Sequence, residues 1–186
     1  MFSAAAAESI YWLFEQALQD NAIAEPGQAC RVALQPAPST ATSAGHLVVL
    51  NISSYSFRIV ALFDFPASPD LRSHLAKKVR SHSTALEGQA WLDALSEMVN
   101  MTCGAVNRGL CTAFRHAAMS TPFVLERHCG QFIEEIGPAV TACFAVTVNE
   151  DVRFDLTLCL CAKEVVDFRV DRSGGAVEEA GELELF

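Results

Sequence analysis

Residues 153–162 alternate without a break: Phe154, Leu156, Leu158 and Leu160 fall on one face of an extended strand, and Asp155, Thr157, Cys159 and Cys161 on the other. Such a strand has one strongly buried face and one moderately polar face, so it must sit in a sheet that something apolar covers. The β-rich run 139–148 precedes it, and the four residues 149–152 between them read as a hairpin. A second pair of β-rich runs, 46–52 and 55–65, is separated by Ser53-Ser54 and predicts another antiparallel hairpin. Runs 30–34 and 123–129 are shorter strand candidates, and 35–45, rich in Pro, Ser, Thr and Ala, reads as a loop.

The cover for this sheet is legible as helices. From 4 to 24, Ile10, Leu13, Phe14, Ala17 and Leu18 recur at helical spacing ahead of the Pro26-Gly27 breaker. Leu71, Leu75 and Val79 predict a short helix over 70–81, after the Pro66–Pro69 break, and a longer helix spans about 86–114. Helix, hairpin, two helices and then strands make an α+β chain with a largely antiparallel sheet. At 186 residues, about half of them apolar, it carries one core, and we read one domain over 1–170 with a glutamate-rich acidic tail over 171–186 that is mobile or weakly docked.

On the long helix, Asp93, Glu97, Asn100, Gly104, Asn107 and Cys111 lie close to one line, while Leu92, Leu95, Val99, Thr102, Val106 and Leu110 cluster opposite. A solvated surface explains a polar line equally well, but two details do not suit one. Gly104 in mid-helix costs about 1 kcal/mol against Ala, which is compensated if another backbone comes close or if a neighbouring helix of the same fold packs there. Between Glu97 and Asn107 the line holds two Asn, poor helix formers, and no Lys or Arg.

Asp93, three residues, Glu97, two residues, Asn100, and then Pro122 twenty-two positions after Asn100: this pattern resembles the signature of the CheC/CheX/FliY chemotaxis phosphatases. The order of elements from 46 to 162 is similar as well: a hairpin, a Phe-x-Pro break with a short helix, the ExxN helix, a Pro-led strand and a closing hairpin. CheC-type members carry two such helices in an internal repeat. This chain has no repeat and its 70–81 helix has neither Glu nor Asn, so it resembles the single-site CheX branch, whose members are homodimers.

The resemblance implies a CheC-like fold, with long helices packed on one face of the sheet, and an enzyme that hydrolyses the aspartyl phosphate of a CheY-like receiver domain. The receiver would bring its own Mg²⁺ and Lys, and the phosphatase would need no cofactor. Asn100 would orient the attacking water and Glu97 would pair with the receiver's Lys. Gly104 and Asn107 would contact the partner, and Asp93 would do so too, support Glu97 or cap the helix. Pro122 is expected to be structural. The same fold docking a receiver or flagellar component without turnover is the alternative.

Other chemistries fit the residues less well. A net charge of −9 disfavours nucleic acid and anionic membrane as partners. No apolar run reaches about 18 residues and Glu8 interrupts the N-terminal stretch, so a soluble cytoplasmic protein is expected. The seven cysteines sit mostly in apolar segments and read as reduced, buried thiols, with no metal site. The five histidines are scattered, and His128-Cys129, placed in a strand, would point to opposite faces. Arg72, Lys77, Lys78 and Arg80 form either a docking patch or a solvated face.

Overall fold

The computed structural model describes residues 1–37 and 44–172. Both expected hairpins form. β2 (Gly45–Ser53) pairs antiparallel with β3 (Phe57–Pro66), and β6 (Val140–Val148) with β7 (Val152–Ala162). β3 and β7 join them into one sheet, β1 (Cys30–Gln35) extends it beyond β6, and the order is β1-β6-β7-β3-β2. Two short strands, β4 (Ala118–Met119) and β5 (Phe123–Glu126), share the outer edge of β2. Every strand pairing in the sheet is antiparallel, and the chain is α+β with a largely antiparallel sheet, as expected.

Because paired residues share a face, Val48, Leu50 and Ile52 align with Phe63, Ala61 and Ile59, and these with Leu156, Leu158 and Leu160. This face is the floor of the main core, roofed by α1 (Ala4–Asn21), α2 (Pro69–Lys78) and α3 (Gly88–Cys111). Ser3 caps α1 by accepting from the Ala6 N–H at 3.0 Å, and Ser68 caps α2 with Pro69 in its first turn. Gly109 sets how closely α1 and α3 approach: a Cβ there would stand 2.5 Å from Leu13 Cδ2.

The polar face of β7 is more enclosed than its sequence predicts. Thr157 and Cys159 are buried, and Leu47, Val60, Leu62 and Cys159 form a second cluster covered by Cys129, Ile133 and Ile136. Those covering residues come from a 3-10 segment, Arg127–Ile136, where a strand running to Cys129 was expected. The strand stops because its partner does: Glu126 faces His46, one residue inside the start of β2. Arg127 then turns in to the Asp64 carboxylate, an ion pair at the edge of this second layer.

The tail begins docked. The Arg172 guanidinium donates to the Glu8 carbonyl at 3.4 Å and stands over the Trp12 ring, while residues 173–186, most of the expected acidic tail, lie outside the described residues, as does most of the expected 35–45 loop.

Candidate functional site

α3 is amphipathic over all its turns, but its buried face is wider than one stripe. Trp91, Ala94, Met98 and Cys103 join Leu95, Val99, Thr102, Val106 and Leu110 inside, while Leu92 is only half-buried, because the helix meets α2 at Trp91 and α1 at Gly109 as well as the sheet. Of the polar line, Asp93 and Glu97 are exposed and Asn100, Gly104 and Asn107 half-buried, with the exposed Met101 and Arg108 beside them.

The sheet fixes what that line faces. Near its start, α3 is tied to β2 by Trp91, whose Nε1–H donates to His46 Nδ1 at 3.2 Å. Thirteen residues on, the position of a Gly104 Cβ lies 4.0 Å from the sulfur of Met119, which pairs with Ile52. The helix therefore follows β2 along its length. At about 1.5 Å per residue, Asn100 lies about 13 Å beyond Trp91. At about 3.4 Å per strand residue that is the level of Leu50. The β4–β5 chain passes this level between Met119, opposite Ile52, and Phe123, opposite Val49. Pro122 sits in that interval, at the sheet edge just ahead of β5, which suits the structural role expected of it. The crossing is pinned by Ser120, whose N–H donates to Asn51 O (2.9 Å) and whose Oγ accepts from the Asn51 N–H (3.1 Å). Nothing in the local sequence signals this anchor, because the bonded residues lie 69 positions apart.

Each expected site residue then has a definite place. Glu97 is exposed and Asn100 half-buried, one turn apart, and no hydrogen bond or ion pair engages either side chain among the described residues. Asp93 is exposed, with Oδ1 accepting from Gln89 Nε2 at 2.8 Å; α3 begins at Gly88, so Asp93 does not cap it. Gly104 is half-buried, and a Cβ there would meet only Arg108 Nη1 at 3.7 Å and Met119 at 4.0 Å, both ordinary contacts. Tight helix packing therefore explains Gly109 and not Gly104. Asn107 turns its carboxamide oxygen inward, buried and without a hydrogen-bond partner among the described residues.

Two other sequence features resolve differently. The basic residues of α2 are largely used internally: Arg72 donates to Leu86 O and stacks over Trp91, Lys77 pairs with Glu25, and Lys78 donates to Ile23 O. His128 and Cys129 do not point apart, since the 3-10 turn brings Cys129 Sγ within 4.0 Å of His128 Nε2, with Glu126 at 3.1 Å from the other ring nitrogen. The His128 and Glu126 side chains are 64% and 82% exposed, so the trio encloses no substrate. No group of residues suited to hold a metal ion occurs among the described residues, and no helix there is long and apolar enough to cross a membrane.

No protein-family model and no curated protein matches the sequence. Solved structures do match its fold. A CheX of Borrelia burgdorferi, determined as a CheX–CheY–BeF₃–Mg²⁺ complex, superposes with a TM-score of 0.60 at 9% identity, over 83% of this chain and 96% of that one. A CheC-like superfamily protein from Shewanella sp. PV-4 gives 0.57 at 10% identity, over 86% and 99%. The middle domain of FliM from Vibrio alginolyticus gives 0.52 at 8% identity, over 84% and 92%.

Proposed function

We propose that this protein is a phosphatase that accelerates hydrolysis of the aspartyl phosphate on a CheY-like receiver domain. The observation that carries the reading is the pairing of Glu97 and Asn100: two polar side chains one turn apart on one helix, without hydrogen-bond or ion-pair partners among the described residues. A likeness to a CheX solved together with CheY supports the choice of partner.

An acyl phosphate is already activated, so the protein has to supply alignment more than chemistry. In the docked complex the Asn100 carboxamide oxygen accepts a hydrogen bond from water and its NH₂ donates toward the phosphoryl oxygens, holding the water in line with phosphorus. The water oxygen bonds to phosphorus, the bond to the aspartyl oxygen breaks, and inorganic phosphate and a free carboxylate leave. Glu97, as a carboxylate, pairs with the receiver's Lys and sets the register in which Asn100 arrives. The receiver contributes the Mg²⁺ that neutralises charge on the phosphoryl group.

The test is release of phosphate from a phosphorylated CheY-like receiver with and without this protein. Wild type should exceed the receiver's own rate by about a hundredfold, and Asn100→Ala should fall back to that rate with an unchanged circular-dichroism spectrum. Asn100→Ala turnover equal to wild type would remove Asn100 from the mechanism. Binding without any acceleration would leave a non-catalytic docking module.

A further inference from the structure

On the sheet face turned away from the helices, the β2–β3 turn, the end of β7 and the end of the 3-10 segment enclose an open cavity of about 560 Å³. Its floor follows from strand register. Ser53 pairs with Arg58 and Arg58 with Cys161, so the three share one face in a row across three strands. Lys163, two residues past Cys161, also lines the cavity, with Ile136 and Gly137 opposite. Arg58 and Lys163 thus line one cavity, where a single ligand can meet both side chains.

The charge of this cavity runs against the rest of the chain. The whole protein carries a net −9, yet no carboxylate lines the cavity and two cations do. Neither Arg58 nor Lys163 has an ion-pair or hydrogen-bond partner among the described residues. Tyr55 stands at the rim, 84% exposed.

From this cavity we infer a second binding site, for a small phosphate-bearing anion, held by Arg58 and Lys163. Two cations suit a dianion with several acceptor oxygens better than a single carboxylate, and the Arg fork matches two phosphate oxygens at once. The source is either inorganic phosphate or a phosphate monoester whose ring lies on Tyr55. The site is on the face opposite α3 and does not depend on the phosphatase reading.

Cys161, half-buried in the lining, provides the readout. Its alkylation by iodoacetamide is followed by peptide mass spectrometry in the full chain while inorganic phosphate or adenosine monophosphate is titrated in at constant ionic strength. Saturable protection of Cys161 is expected, at millimolar concentration or below, with half-protection shifted at least about tenfold in Arg58→Gln/Lys163→Gln and unshifted in Asn100→Ala. Equal protection by the two probes assigns the site to the free anion. Tighter binding of the monophosphate that disappears in Tyr55→Ala assigns it to a ring-bearing ester. No saturable protection by either probe, or protection unchanged in the double variant, overturns the inference. Native mass spectrometry of the adenosine monophosphate complex checks that protection reflects occupancy of one site.

Discussion

Two glycines on α3 look alike in the sequence and do opposite work in the structure. Gly109 is where the fold needs no side chain, since a Cβ would press on Leu13 Cδ2 at 2.5 Å inside the α1–α3 contact. Gly109→Ala should lower stability by about 1–3 kcal/mol, the usual range for overpacking, read as a shift in urea midpoint. Gly104 has room, and a methyl there removes a helix-interior glycine, so Gly104→Ala should raise stability by about 1 kcal/mol. If α3 docks a receiver along the Glu97–Asn100 line, the same methyl stands between the surfaces, and KM for the phosphorylated receiver should rise several-fold while kcat changes little. A stabilised variant with unaltered KM would show that the partner does not approach there. Helical periodicity was enough to set Glu97, Asn100, Gly104 and Asn107 on one line. It could not say that Gly109 faced α1, because that depends on Leu13, ninety-six positions away.

At the scale of elements, the hairpins and α3 were legible because each is a local pattern whose period names its structure. The β4–β5 return was not, since two strands of two and four residues exist only by virtue of the edge that β2 offers them. The 3-10 segment was misread as strand for the same reason: Arg127 to Cys129 carry β-compatible residues, but no partner strand reaches them. Helix α2 shows an element held by a buried titratable group. His74 Nε2–H donates to the Ala22 carbonyl at 2.7 Å, just past the end of α1, and burial pushes its pKa below the usual histidine value. The folded protein therefore keeps His74 neutral, while the unfolded chain takes up a proton near pH 6.5. Below that pH only the unfolded state gains a proton, so stability should fall as pH drops from about 6.5 toward the depressed folded value. Urea midpoints at pH 7.5 and 5.5 test this. Wild type should lose more between them than His74→Gln, and parallel losses would place the acid sensitivity elsewhere.

For the molecule as a whole, the cysteines report how the two covered faces of the sheet stay closed. Cys103 lies in the core under α3, and Cys143 and Cys159 on the opposite face; all three are buried, and burial pushes each thiol up, Cys159 to about 11. Cys30 is half-buried and also raised to about 11, so at pH 8 only about one molecule in a thousand carries its thiolate. Cys111, Cys129 and Cys161 are half-buried and face the surface layers. Burial of all seven was expected from their apolar neighbours, but only three are buried, because the other four lie at the ends of elements or in the 3-10 segment that covers the sheet. With a thiol-reactive disulfide reagent at pH 8, three groups should react quickly and Cys30 slowly. Cys103, Cys143 and Cys159 should react only as fast as the sheet separates from what covers it. If the 3-10 segment lifts as a unit of its own, Cys159 will label before Cys103 in native protein. If the two label together, at a rate that rises with urea as global unfolding does, both layers open in one cooperative step. The sheet then behaves as the shared centre of a single core, which is what a helix offered to a partner needs if Glu97 and Asn100 are to keep their spacing on docking.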